Sequence, residues 1–246
     1  MANGWWNLDG AVAGCVAAYE PIGAANLAAS YVNKVGNAAY DCTVWTGKTE
    51  PLFNTLTGWE LSIDPSRVLD TGIVGANGIS AIVRFSDSAS VQQAAIFGVT
   101  VTVGVVQFNI INKYTDNKAY FRAGGTYNTD AGTNYLSGVL AVTPAKAYVN
   151  GSPIGNLASP YSGTTTVHVA IGGQAINATA PSGWIGKIQA IAFYSSTPTD
   201  DNIAALTIRM NALPVATGSV KIFPSIGLVG LGSGGVRIRP IGGIRL

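Results

Sequence analysis

The sequence predicts an all-β fold, a sandwich of two antiparallel sheets with one or two short helices, and three observations predict it. Apolar residues alternate with polar ones at period two in run after run. An Asn-Gly pair closes one of these runs, the strongest short-range hairpin signal a sequence carries. Glycine, 31 of 246 residues, punctuates the runs at near-regular spacing and supplies the turns that short strands of a sandwich or jelly roll need.

The elements follow in order. In "GAANLAASYVNKVGN", Leu27, Tyr31 and Val35 recur at helical spacing and Gly36 stands ready to end a first short helix. In "ISAIVRF", Ile79, Ala81, Val83 and Phe85 share one face of a strand, with Ser80 and Arg84 on the other. "GVTVTVGVVQFNI" places Val99, Val101, Val103 and Val105 on one face, after which Phe108 and Ile110 take the opposite parity. A bulge or turn near Gly104 accounts for that switch. "AKAYVNGSPIG" reads as a hairpin turning at Asn150-Gly151, and "TTTVHVAIGG" alternates Val167, Val169 and Ile171 against Thr166, His168 and Ala170. A second helix is written in "TDDNIAALTIRMNALP". Thr199 can cap it, Asp200 and Asp201 suit the positive end of its dipole, Ile203, Leu206, Met210 and Leu213 form a stripe, and Pro214 stops it.

Hydrophobic residues make up 48% of the chain and charged residues 11%, against about 25% charged in an average soluble protein. A surface so poor in charge suits an adhesive β-protein or a subunit packed among neighbours. The net charge of +2 is unevenly spread. Residues 1–218 hold ten Lys or Arg against twelve Asp or Glu, a balance of −2, whereas Lys221, Arg237, Arg239 and Arg245 add +4 with no acid beside them. The two cysteines, Cys15 and Cys42, could pair or stay reduced, and the sequence leaves both open; buried free thiols are the favoured expectation, since nothing in the chain marks it as secreted. Uncharged runs alternate with Ser, Thr, Gln and Asn, so no membrane span is expected.

Three stretches together resemble the concanavalin A-like lectin/glucanase jelly roll of the laminin-G-like type. The first is "AYVNGSPIG". The second is "GWIGKIQAIAFYSSTPTDDNIAAL", in which Trp184-x-Gly186-x-Ile188 leads a late strand that passes through Thr197-Pro198-Thr199 into a short closing helix. The third is the opening "AGCVAAYEPIGAANLAASYVNKVGNAAYD" with "TGWELS", which is similar to laminin-G-like proteins encoded by bacteriophages and their hosts. The resemblance implies a jelly-roll domain over residues 1–214, with residues 215–246 outside it. The implied setting is a bacteriophage virion assembled in the host cytoplasm, and the implied roles are capsid decoration, head fibre, or tail or baseplate component. The rival reading is a carbohydrate-binding, lectin-like module.

Enzymatic chemistry finds little footing. Glucanases of this family carry an E-x-D-x-x-E strand, but the three glutamates, Glu20, Glu50 and Glu60, stand apart. His168 is the lone histidine and no G-x-S-x-G elbow accompanies it. Gly230-x-Gly232-x-x-Gly235 mimics a dinucleotide fingerprint, but the residues after it alternate like a strand, where the mechanism needs a helix. Two Cys and one His are too few for a zinc site. The one cofactor the resemblance admits is Ca2+, for which Asn128, Asp130 and Asn134 of "YNTDAGTN" offer oxygen ligands; plain turn geometry explains the same residues.

The candidate sugar face is "KYTDNKAYFRAGGTYNTDAGTNY", which gathers Tyr114, Tyr120, Phe121, Tyr127 and Tyr135 among Asp, Asn and Gly. Flat aromatic faces and amide or carboxylate groups are what a saccharide needs, and core packing is the competing use of the same rings. The adjacent Trp5 and Trp6 pose the same choice, because two neighbours on one strand cannot both face inward.

The C-terminal segment is expected to be a strand-forming assembly arm. Val220, Ile222 and Phe223 open an apolar run, and Val236, Arg237, Ile238, Arg239 and Arg245 belong to a strand-like segment with a mostly basic face. Such material either completes its own sandwich or adds to a neighbour's sheet; the expectation favours a homo-oligomer, a trimer first, contacting other virion proteins. Four scattered cations make a poor phosphate track, so no nucleic-acid partner is expected.

Overall fold

The computed structural model describes residues 4–63, 66–76, 78–89, 94–101, 106–133, 135–158, 164–177 and 183–214. The expected assembly arm lies outside these residues, as do Asn134 and the segment around Gly104. The strands in chain order are β1 (Cys15–Tyr19), β2 (Thr43–Val44), β3 (Leu52–Asn54), β4 (Gly58–Leu61), β5 (Leu69–Ala76), β6 (Ser80–Ser86), β7 (Phe97–Val101) and β8 (Val106–Ile111). They continue as β9 (Tyr120–Ala123), β10 (Thr126–Asn128), β11 (Gly138–Val142), β12 (Lys146–Val149), β13 (Ser152–Asn156), β14 (Thr164–Ile171), β15 (Ala175–Ile176) and β16 (Gly186–Tyr194). Helices α1 (Leu27–Tyr31) and α2 (Asp200–Asn211) and two 3-10 turns, Leu8–Gly10 and Ala38–Tyr40, complete the described elements.

Two sheets face each other. The first runs β13-β12-β11-β6-β16-β4-β3, with β1 also paired to β16; the second runs β10-β9-β8-β7-β14-β5-β2, with β15 joined to β7. Among the described strands, the pairings are antiparallel except the two-residue match of β15 with β7; a single parallel bridge, Thr49 with Arg67, lies outside them. This is the all-β jelly-roll sandwich the alternation predicts. The parity switch in the valine-rich run is a change of strand: β7 and β8 pair antiparallel, with Val99 opposite Phe108 and Phe97 opposite Ile110. The hairpin turn falls where expected, with Asn150 and Gly151 both at positive φ (49° and 85°), as a two-residue type I′ turn requires.

Between the sheets lies the main core, built on Trp59, Trp184, Phe85, Phe97, Phe108, Phe121 and Phe193. A second apolar cluster forms on the outer face of the first sheet. There Ile203, Leu206 and Met210 of α2 pack on Ile82, Val139, Ala141, Tyr148, Ala190, Ala192 and Tyr194. The expected closing helix is therefore present and its stripe is buried, each such side chain contributing about 1.5–3 kcal/mol over an exposed one. Thr199 Oγ1 caps it by accepting from the Asn202 amide at 3.2 Å. Lys146 (2.6 Å) and Tyr148 (2.9 Å) bond the Asp200 carboxylate and hold its pKa below the usual range.

The first sheet is thus covered on both faces, and this overturns one expectation. Arg84, expected on a polar face, is buried on the outer face of β6 and donates to the Met210 and Leu213 carbonyls at the end of α2 (2.7 and 3.2 Å). The first helix is also shorter than expected. Leu27 and Tyr31 pack on the core as a helix, but Val32 is extended, and Val35 goes to the outer cluster. The cause is Asn33. Its buried amide accepts from Ala18 and Val35 and donates to Val16 and Asn37, tying the chain to β1 in place of helical bonds. Trp5 and Trp6 are on a turn, with rings edge to face at 5.9 Å, and both pack on the outer cluster.

Both cysteines are free; Cys42 is buried as expected, whereas Cys15 at the start of β1 is only partly buried. Burial pushes the Cys15 thiol up to about 12, and Cys42, fully enclosed, moves in the same direction. At pH 8 the Cys15 thiolate is then about one part in 10^4. Iodoacetamide is expected to alkylate the native protein at least about 100-fold more slowly than the urea-unfolded chain. Rapid native labelling, followed by mass spectrometry, would show that Cys15 is not held as the thiol or that Cys42 is not buried.

Candidate functional site

Because α2 and the N-terminal turn cover the first sheet, the outer face of the second sheet is the place to look for a ligand. Alternation decides what it carries. Phe108 and Ile110 of β8 and Phe121 and Ala123 of β9 point into the core, so Asn109, Ile111, Tyr120 and Arg122 point outward. A groove of about 250 Å³ opens on this face, lined by Ile111, Tyr114, Tyr120, Arg122, Gln174 and Ile176.

Its geometry is set by a tight turn before β9. The Tyr114 amide donates to the Lys118 carbonyl (2.7 Å) and the Asn117 amide back to Tyr114 (3.0 Å), with Asn117 at φ 64°. This folds Tyr114 edge to face with Tyr120, centroids 6.0 Å apart. The Arg122 guanidinium lies 4.9 Å from the centre of the Tyr120 ring, a cation–π distance. The Tyr120 hydroxyl donates to Asp116 (2.5 Å), which draws the Asp116 carboxyl below its usual pKa and raises that of the phenol. Gln174 is aimed by a bond from its Nε2 to Thr100 Oγ1 (2.5 Å), and Ile176, half exposed, forms the far wall.

The five candidate aromatics separate. Tyr114 and Tyr120 meet in the groove. Phe121 is a correction: it is fully buried in the main core, as adjacent residues on one strand must face opposite ways. Tyr127 and Tyr135 also pack toward the core, their rings 6.3 and 6.4 Å from that of Phe121. Tyr127 sits where Gly155 has no side chain and donates to the Ile154 carbonyl (3.0 Å). Of the oxygen-rich loop, Asn128 and Asp130 are exposed on the edge strand and the turn after it. Among the described residues no three His, Cys, Asp or Glu side chains cluster to hold a metal. His168 pairs with Asp70, Nδ1 lying 3.0 and 3.1 Å from its two carboxylate oxygens.

Sequence reasoning missed Ile111, Arg122, Gln174 and Ile176. Arg122 was within reach, since it shares the parity of Tyr120. Gln174 and Ile176 come from a segment 50 residues away, and no local pattern connects them to β9.

No protein-family model and no curated protein matches the chain. Among solved structures it is similar to domain 4 of AbnA, a GH43 extracellular arabinanase from Geobacillus stearothermophilus, in complex with arabinotriose. The identity is 16%, the TM-score 0.56, and the match covers 79% of this chain and 98% of that domain. It is also similar to a Trypanosoma rangeli sialidase in complex with sialic acid (16% identity, TM-score 0.46), covering 82% of this chain but 34% of the sialidase. A third neighbour is the CBM40 of Ruminococcus gnavus IT-sialidase bound to α2,3 sialyllactose, at 18% identity, TM-score 0.41, and coverage of 54% and 83%. At 16% identity the likeness to the arabinanase domain is one of fold alone, a jelly-roll sandwich of two antiparallel sheets. No helix of the described residues is long and apolar enough to cross a membrane.

Proposed function

We propose that this chain is a lectin-like module that holds a saccharide in the groove on its second sheet without cleaving it. The observation that carries the reading is the pairing of Tyr114 and Tyr120 with Arg122 and the oriented Gln174 around one groove. Tyrosine rings offer apolar faces to sugar C–H groups, while the guanidinium and carboxamide offer hydrogen bonds to hydroxyls. None of the six lining residues is a carboxylate, and the nearby Asp116 is engaged by the Tyr120 hydroxyl, which supports binding over cleavage. The arabinotriose-bound neighbour supports a saccharide as the ligand class. The assembly role expected of residues 215–246 rests on residues outside this description, and nothing in the sandwich adds to it.

A glycan array probed with the full chain and with Tyr120→Ala tests the reading. Saturable binding by the wild type is expected, with affinity at least about tenfold lower in the variant, a loss of roughly 1.4 kcal/mol. Tyr120 is partly buried on the sheet's outer face and lies outside the main core, so the melting temperature is expected to fall by only a few degrees. A wild type that retains no glycan, or equal retention by both proteins, would overturn it.

A further inference from the structure

Beside the groove lies a side chain whose surroundings do not explain it. Asn109 stands on β8 between Phe108 and Ile110, and since both of those enter the core, it points to the groove side. It is fully buried, yet neither its Oδ1 nor its Nδ2 has a hydrogen-bond partner. In register it faces Gly98 on β7 and Arg122 on β9. The absent side chain at Gly98 is what makes room for it: a Cβ there would lie 2.4 Å from the Asn109 Cβ and 2.7 Å from the Phe108 carbonyl oxygen.

Other buried amides in this fold are served. Asn112 accepts from the Trp184 indole and donates to Ser88 and the Tyr135 carbonyl (3.0, 2.9 and 2.9 Å). Asn33 has four partners through its side chain. A buried amide without partners destabilises the folded state, and an apolar residue of similar size would remove that cost. The groove reaches toward Asn109 through two of its lining residues, the register neighbour Arg122 and Ile111, two residues along the same face.

We propose that Asn109 is a specificity-determining contact of the groove, binding two adjacent hydroxyls of the saccharide when the Arg122 side chain moves aside. This rests on the saccharide reading given above. A carboxamide presents a donor and an acceptor on neighbouring atoms, so one hydroxyl of a vicinal pair accepts from Nδ2 while the other donates to Oδ1. Arg122 is suited to be the cover. It is half buried, directly opposite Asn109, and in cation–π contact with the Tyr120 ring.

The test compares wild type, Asn109→Val and Tyr120→Ala, by thermal melting and by titration with arabinotriose, sialyllactose and the best ligands of the array. Asn109→Val is expected to melt several degrees higher than wild type and to bind at least tenfold more weakly. A variant that melts lower, or that binds as the wild type does, overturns the assignment. Were Asn109→Val to misfold, the Asn109 side-chain amide resonances of the 15N-labelled wild type decide: ligand must shift them, and unmoved resonances at saturation overturn the proposal. The two readings fail differently. If wild type binds and Tyr120→Ala does not, but Asn109→Val is unimpaired, the assignment of Asn109 falls alone. If the wild type binds no saccharide, both fall.

Discussion

Replacing Trp184 with alanine is expected to lower the stability of the sandwich by about 4 kcal/mol or more. Truncating a buried tryptophan costs about 3–5 kcal/mol from lost contacts and the cavity left behind. Trp184 is fully buried, meets Phe85 edge to face at 6.0 Å, and packs where Gly186 has no side chain. Its indole N–H donates to Asn112 (3.0 Å), whose own amide ties Ser88 to Tyr135. Removing the ring therefore also strands a buried acceptor, at about 1–3 kcal/mol. At about 2–4 °C per kcal/mol for a domain of this size, the melting temperature falls by roughly 10–15 °C. Trp184→Phe separates the two contributions, since it keeps most of the volume and loses the donor. It is expected to lie between wild type and Trp184→Ala in urea unfolding. If Trp184→Phe matches wild type, the hydrogen-bond chain through Asn112 is not stabilising.

Arg84→Met should produce the second large effect, about 2–3 kcal/mol. Arg84 binds the last carbonyls of α2 from the strand beneath, so its charge completes the negative end of the helix dipole and its N–H groups satisfy two acceptors. Burial lowers its pKa, yet an arginine stays charged in this setting. Methionine fills the space without donors, so packing is kept and the bonds are lost. Because the loss is confined to the end of α2, hydrogen exchange should quicken over residues 200–211 well before the sheets open. Uniform exchange across the sandwich would show that Arg84 does not fasten the helix. The same helix is fastened at its start by Lys146 and Tyr148 on Asp200, so the two ends are held by different strands.

Much of this architecture was legible from short-range rules. Strand alternation around Ala81, Val83 and Phe85 correctly marks the core face of β6, because a strand's side chains must alternate. The Asn150-Gly151 turn and the Thr199-capped helix are equally local, set by which residues tolerate positive φ or can accept from a free amide. The candidate site is less legible. The aromatic run around β9 does not form one face, because its own alternation divides Tyr120 and Arg122 from Phe121.

What the sequence by itself determined is the all-β class, the strands β6, β7, β8, β14 and β16 with the core face of β6, the β12–β13 hairpin and the closing helix, since all of these depend on neighbours within a few residues. Only the tertiary structure decided which outer face is covered. The placement of α2 turned Arg84 from a surface charge into a buried helix anchor and left the second sheet to carry the groove. It also brought Gln174 and Ile176 to Tyr114 and Tyr120, and set Asn109 between Gly98 and Arg122. Pairings between distant strands make these juxtapositions, and register across a sheet is a property of the whole fold rather than of any one segment.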